Sequence, residues 1–98
     1  METEYLIAIE EFCSFHNIEI SFVSSLSESG LIELKKVKDA DFIEIGQVHQ
    51  LEKYVHLYYE LDINLEGIET VNYLLDRIGS LQNEIKNLTN RLRLYEAQ

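Results

Sequence analysis

The sequence predicts a mainly α-helical fold, a winged helix-turn-helix with a short β-hairpin as its wing and a long C-terminal dimerisation helix. Two short amphipathic stretches joined by a tight turn occupy residues 7–34, which is the pattern of a helix-turn-helix. Two apolar runs around a polar tip follow over residues 31–45 and indicate a hairpin. An apolar repeat of period seven then runs from Val71 to Tyr95, which is typical of a coiled coil.

The first two predicted helices are delimited by their end signals. Apolar side chains recur at helical spacing over residues 7–16, and Asn17 ends the first helix. Ser21 is the predicted N-cap of the second helix, because a serine hydroxyl can accept a bond from the free backbone amides of the first turn. Gly30 ends that helix, since glycine readily adopts the positive φ found after helix C-termini.

The predicted wing consists of two short runs, residues 31–34 and 42–45, around a tip that carries a cluster of lysines. Lys35, Lys36 and Lys38 are candidates for gripping phosphate. Without a basic recognition helix they would give weak, non-specific binding at most. A solvated hairpin tip is the alternative interpretation.

Two further helices complete the prediction. The third helix spans about residues 46–61. Asn64 is a suitable N-cap for a final helix that starts at Leu65. The sequence therefore divides into a winged helix-turn-helix head, residues 1–62, and a long dimerisation helix, residues 63–98.

The last helix has the most regular pattern in the chain. Its predicted a positions are Val71, Ile78, Ile85 and Leu92, and its predicted d positions are Leu74, Leu81, Leu88 and Tyr95. β-Branched residues at a and leucine at d favour two strands, so a homodimer is predicted, with the orientation of its helices left open. The alternative is a helix that folds back across its own domain.

The charge distribution argues against a nucleic-acid reader. From Met1 to Leu34 the sequence contains seven Glu and no Lys or Arg, and the net charge of the chain is −10. DNA-binding proteins gain much of their affinity by neutralising phosphates with basic side chains. The sequence predicts a basic protein as partner, without direct nucleic-acid or membrane binding. The alternative is that the charge only maintains solubility.

The sequence also predicts a cytoplasmic location. The N-terminal segment METEYLIAIEEF has neither a basic n-region nor a long apolar stretch, so no signal peptide is predicted. No window approaches the roughly 18 apolar residues of a spanning helix. Cys13 is the only cysteine, so no internal disulfide can form, which fits a reducing compartment.

No motif points to catalysis, a metal or a cofactor. The sequence has no glycine-rich phosphate loop, nucleophile elbow or acid–base pair, so no enzymatic activity is predicted. His16, His49 and His56 with Cys13 lack the spacing of a metal site. Four tyrosines line a ligand pocket, pack the last two helices together or face the dimer partner, namely Tyr54, Tyr58, Tyr59 and Tyr73.

The order of these elements resembles that of the MerR superfamily, and one segment resembles a particular branch of it. LYYELDINLEGIETV at residues 57–71, followed by LLDRI at 74–78, is similar to the hallmark of the chaperone modulator CbpM family. IEEFC at 9–13 and GLIE at 30–33 resemble the opening of that family. Leu57 departs from the pattern, because a basic residue is common there.

The resemblance implies a co-chaperone inhibitor. Members of the CbpM family bind the J-domain of a CbpA/DnaJ-like co-chaperone and suppress its stimulation of a DnaK-type partner and its DNA binding. J-domains present a basic helix, to which an acidic protein is complementary. Two alternatives remain, a MerR-like DNA-binding transcriptional regulator and a plain dimerisation module.

Six residues are the candidates for the partner-binding surface. Four glutamates form a predicted acidic face and two phenylalanines are predicted anchors at its centre: Glu10, Glu11, Glu19 and Glu28, with Phe15 and Phe22. The alternative for the glutamates is a merely solvated surface, and for the phenylalanines it is packing between the first two helices.

Overall fold

The computed structural model describes residues 5–97, and these form the mainly helical winged helix-turn-helix that the sequence predicts. The elements in chain order are β1 (Leu6–Ala8), α1 (Ile9–His16), α2 (Ile20–Glu28), β2 (Leu34–Val37), β3 (Ala40–Glu44), α3 (Ile45–Val55), a π-helical turn (His56–Glu60) and α4 (Leu65–Glu96). The predicted absence of a signal peptide concerns a segment whose first four residues lie outside the described residues.

A short strand precedes the first helix and changes its predicted start. Leu6–Ala8 pairs antiparallel with β3, with Ile7 opposite Ile43, and the three strands lie in the order β1-β3-β2. The prediction of a helix from residue 7 was therefore wrong by two residues, and α1 begins at Ile9. Pairing with a strand more than thirty residues away makes residues 6–8 extended. The spacing of apolar residues along the sequence cannot predict such a distant contact.

The ends of α1 and α2 confirm two predicted stop signals. Asn17 adopts the left-handed conformation with φ 57° directly after α1, and the Ile18 N–H donates to the Cys13 carbonyl at 3.0 Å. Gly30 has φ 80° after α2, and the following N–H, that of Leu31, bonds back to the helix. Both ends close as Schellman-type caps, which satisfy carbonyls that the helix leaves free.

The predicted cap of α2 was wrong. The helix begins at Ile20 with Glu19 as its N-cap residue, so Ser21 lies inside the first turn and makes no capping bond. The Glu19 N–H instead donates to the hydroxyl of Tyr59 at 3.1 Å. A side chain forty residues away thus accepts from the amide of the N-cap residue, which has no partner within the helix.

The wing is a tighter hairpin than the sequence predicts. Its strands pair from Leu34 opposite Ile43 to Val37 opposite Ala40, so the connection is two residues long. Lys38 and Asp39 occupy it with φ of 52° and 67°. Positive φ at both central positions is the signature of a type I′ turn, whose twist matches that of the flanking strands.

The core lies where α1, α2 and α3 pack with the sheet and the start of α4. Its most deeply buried side chains are Val23, Leu26, Ile43, Leu51, Tyr54 and Ile68. The Tyr54 hydroxyl accepts a bond of 2.7 Å from the Gln50 amide, so its burial leaves no polar atom unsatisfied.

The link into α4 confirms the predicted cap. The Asn64 side-chain oxygen accepts a bond of 2.8 Å from the Gly67 N–H, and α4 starts at Leu65. Gly67 has no room for a side chain, because a Cβ there would lie 2.7 Å from Cγ2 of Ile63. Asp62 turns the chain ahead of this cap with φ 57°.

The chain separates into two compact units, and the division falls after Ile68. The predicted boundary at residues 62/63 lies six residues earlier, because the first turn of α4 contributes Ile68 to the core of the first unit. Along the second unit the predicted coiled-coil side chains from Leu74 to Tyr95 are 47–75% exposed.

Replacing Asn64 with alanine should lower the free energy of unfolding by about 1 kcal/mol, the usual value of an N-cap side chain. The reason is that the Gly67 amide would lose its bond without any change in core packing. Urea denaturation followed by circular dichroism measures the difference. Asn83→Ala, on the exposed middle of α4, is the matched control and should not destabilise the protein, since alanine favours helix.

Candidate functional site

The exposed side of the first two helices carries the predicted acidic residues. Glu10 and Glu11 lie in the first turn of α1, where the helix dipole favours a negative charge. Glu19 precedes α2 and Glu28 is its last residue. All four side chains are exposed, so each is available to a partner.

The structure brings only part of this acidic set together. Glu10 and Glu19 line one open groove of about 630 Å³, and Ser14, Ile20 and Ser21 lie between them. Glu28 lies at the far end of α2, eight residues after Ile20, and thus roughly 12 Å along the helix axis. The acidic surface is therefore centred on the turn between α1 and α2.

The two predicted aromatic anchors have opposite environments. Phe15 is 83% exposed, beside Glu11 on the next turn of α1, so the alternative of core packing was wrong for this residue. Phe22 is 6% exposed and stacks on Tyr58 with ring centroids 4.4 Å apart. The prediction of Phe22 as a contact residue is corrected here, because the ring is already covered within the head. Of the two predicted anchors, only Phe15 has a ring that is accessible to a partner.

The second helix presents no basic side chain. Residues 20–28 read ISFVSSLSE, so the position of a recognition helix offers hydroxyl, apolar and one acidic group. Ile20 at its start is 47% exposed. Serines can contact phosphate and bases, but the surrounding charge opposes the approach of a polyanion.

The lysines of the wing are neutralised across the hairpin. Lys35 Nζ lies 3.4 Å from a carboxylate oxygen of Glu44, and Lys36 Nζ lies 3.6 Å from one of Asp41. Both lysines belong to β2, so their predicted place at the tip was wrong, and Lys38 alone stands in the turn. The wing therefore offers little net positive charge to a phosphate.

Two acids of the wing that were not predicted as site residues lie beside this acidic surface, and one of them, Asp41, is paired with Lys36. Asp39 and Asp41 line a cavity of about 160 Å³ together with Glu10 and Ile20. The hairpin tip thus places its carboxylates beside α1 and the start of α2. No local sequence signal reports this, because the proximity depends on how the wing packs against the helices.

Four tyrosines were predicted to line a pocket, to pack helices or to face the dimer partner, and their environments differ. Tyr54 is buried in the core, and Tyr73 on α4 is exposed. Tyr58 and Tyr59 come from the π-helical turn, and their ring centroids lie 5.0 Å apart. They are 39% and 38% exposed and line an open cavity of about 360 Å³ with Asp62, Ile63 and Asn64.

Two of the three histidines lie close to carboxylates. His16 Nε2 lies 3.9 Å from Glu52, and His56 Nδ1 lies 2.9 Å from Glu60. Within residues 5–97 no three His, Cys, Asp or Glu side chains are grouped closely enough to hold a metal ion.

Cys13 is buried among the core side chains, and burial raises the pKa of its thiol. A protonated, inaccessible thiol is a poor nucleophile. We expect the folded protein to react with a thiol-specific disulfide reagent at least tenfold more slowly than the urea-unfolded chain, as followed by absorbance. Equal rates in both states would show that Cys13 is reachable in the native fold.

The chain matches one known protein family over most of its length. The model of a family described as "MerR HTH family regulatory protein" matches residues 7–90. No curated protein and no solved structure matches the chain. Within residues 5–97 no helix is long and apolar enough to cross a membrane.

Proposed function

We propose that this chain, which belongs to the MerR HTH family of regulatory proteins, is a non-enzymatic regulator. In this proposal it acts in the cytoplasm by binding a basic protein. The partner in this proposal is the J-domain of a CbpA/DnaJ-like co-chaperone, and binding inhibits that co-chaperone. The choice of partner rests on the resemblance of residues 57–78 to the chaperone modulator CbpM family.

A single observation favours a protein over DNA as the binding partner. The helix-turn-helix is complete, yet its exposed side bears Glu10, Glu11 and Glu19 and no basic residue. Asp39 of the wing adds a carboxylate to the same side, whereas the charge of Asp41 is paired with Lys36. Such a surface repels phosphate and attracts a basic helix. This complementarity of charge raises the association rate and the specificity for a basic partner.

The mechanism is competition for the basic helix of the J-domain. That helix contacts an acidic surface of the DnaK-type chaperone, and the groove of Glu10 and Glu19 would take its place. Phe15, which is exposed on α1 one turn after Glu11, supplies apolar area that is removed from water on binding, and such anchors contribute much of the affinity of an interface.

The period-seven side chains of α4 support a homodimer as part of the proposal. Their exposure in the single chain is what the a and d positions of an unpaired coiled-coil helix show. A second copy would cover them. Each dimer would then carry two heads and bind two J-domains.

A DNA-binding transcriptional regulator is the second candidate, favoured by the family match itself. It requires that the serines of α2 and Lys38 of the wing hold DNA against the repulsion of the neighbouring carboxylates. Retardation of a specific promoter fragment at near-physiological salt would support this candidate and contradict the first.

Isothermal titration of the protein with a purified J-domain, at two salt concentrations, tests the proposed function. We expect saturation near one J-domain per chain and weaker binding at the higher salt, because exposed charge pairs are screened. Absence of binding at both salt concentrations would contradict the proposal and leave the DNA-binding candidate.

A further inference from the structure

We propose that Tyr58 and Tyr59, with the carboxylates of Glu19 and Asp62, form a cradle for an arginine or lysine side chain of a basic protein partner. The name cradle is used below for these four residues. The identity of the partner rests on the proposed function. The cradle itself consists of residues of the first unit alone.

The aromatic part of the cradle is built on the core. Phe22 is buried, and Tyr58 stacks on it at 4.4 Å while Tyr59 meets it edge-on at 5.5 Å. The hydroxyl of Tyr59 is fixed by the Glu19 N–H at 3.1 Å. The two tyrosine rings are therefore held in place and still more than a third exposed, so little ordering is required when a ligand binds.

The π-helical turn explains why two consecutive tyrosines are presented together. Residues 56–60 widen the helix at its end, and such single-turn widenings are frequent at functional sites. Tyr58 lines a shallow groove of about 120 Å³ with Glu19 and Ser21. Tyr58 also lines the cavity of about 360 Å³ with Tyr59 and Asp62.

The charge around the cradle is of one sign. Residues 1–34 contain no Lys or Arg, and residues 54–68, the last part of the first unit, contain three acids and again no Lys or Arg. These two stretches of the chain meet at the contact between Glu19 and Tyr59. Each stretch supplies one carboxylate to a depression lined by Tyr58, Glu19 to the smaller one and Asp62 to the larger.

This chemistry selects a cationic side chain on a protein surface. Aromatic faces attract Lys ammonium and Arg guanidinium groups. Asp62 lines the depression of Tyr58 and Tyr59, and Glu19 lines the second depression that Tyr58 borders. Both depressions are open to solvent rather than enclosed, so they suit a side chain that enters from a partner while its backbone stays outside. A basic protein is also the partner that the net charge of −10 favours.

Two variants test the cradle by titration with the J-domain. Asp62→Asn removes one charge and keeps a residue that tolerates the left-handed conformation at this position. Tyr58→Leu removes an aromatic face and keeps apolar bulk. Tyr58→Leu should weaken binding about fivefold, the upper value for one exposed cation–π contact. Asp62→Asn should weaken it by up to about fivefold, the upper value for one exposed charge pair. Asp76→Asn and Tyr73→Leu, both exposed on α4, are the matched controls and should bind like the wild type.

A second measurement does not depend on the J-domain. Titration of the wild-type protein with a hexa-arginine peptide should shift the ring resonances of Tyr58 and Tyr59 in NMR spectra and leave those of Tyr73 unchanged. Ring shifts of equal size at all three tyrosines, or at none, would overturn the cradle.

The two measurements separate the cradle from the proposed function. If the J-domain binds the wild type and the Asp62→Asn and Tyr58→Leu variants equally well, the cradle is wrong and the proposed function stands. If the J-domain does not bind the wild type but hexa-arginine shifts the rings of Tyr58 and Tyr59, the cradle stands without that function. Should Tyr58→Leu fail to fold, the Asp62→Asn variant decides.

Discussion

Replacing Glu10 and Glu19 together with lysine should weaken J-domain binding roughly thirtyfold at low salt. The two carboxylates line the same groove, so reversing both removes two attractions and adds two repulsions at one place. Each exposed charge pair is worth up to about 1 kcal/mol, and a thirtyfold loss corresponds to roughly 2 kcal/mol. Isothermal titration at two salt concentrations measures the change, which should shrink as salt screens the charges.

A charge-matched variant separates local contact from attraction by net charge. Glu33→Lys combined with Glu69→Lys changes the net charge of the chain by the same four units, at exposed positions outside the groove. It should reduce affinity less than threefold. An equal loss in both double variants would mean that overall charge, and no defined acidic surface, attracts the partner.

Glu28 offers a finer distinction within the predicted acidic set. Because it lies at the far end of α2 from the groove, the single Glu28→Lys variant should bind nearly as the wild type does. A loss equal to that of Glu19→Lys alone would place the footprint along the whole of α2, as the sequence analysis assumed.

The second large effect concerns α4. Replacing Leu81 and Leu88 with glutamate should convert a dimer into a monomer at micromolar concentration. Both are predicted d positions and are half exposed in the single chain, so pairing would bury them in the seam between two helices. A seam with two carboxylates per chain cannot be buried without a large desolvation cost. Sedimentation equilibrium over a range of concentrations measures the change of mass.

A leucine of α4 outside the predicted seam provides the control. Leu94 is 68% exposed and follows the a position Leu92 by two residues, which places it on the outer face of a coiled coil. Leu94→Glu should leave the mass unchanged. A dimer that survives the Leu81 and Leu88 replacements would place the interface elsewhere.

The local signals of the sequence were sufficient for the helix ends. Asn17, Gly30 and Asn64 each act within one or two turns of the chain, through a backbone conformation or a single short hydrogen bond. Such signals do not depend on the rest of the fold. For the same reason the period-seven pattern predicted a long helix that α4 confirms.

The features that the sequence did not predict depend on distant contacts. The strand β1 exists because Ile7 pairs with Ile43, and the start of α2 is fixed by Tyr59. The opposite environments of Phe15 and Phe22 follow from which side of each short helix meets the core. In α1 that side is formed by Ile9, Phe12 and Cys13, and Phe15 points away from it.

The short link before α4 also fixes where this protein can be joined to other helices. Asn64, Gly67 and Ile68 complete the first unit through a cap, a close backbone contact and a buried side chain. A foreign coiled coil grafted after Ile68, in the same heptad phase, would leave all three intact. A graft made at residue 62 would remove them, and the head would have to fold without its last core residue. The natural unit for building chimeric regulators from this head therefore ends at Ile68.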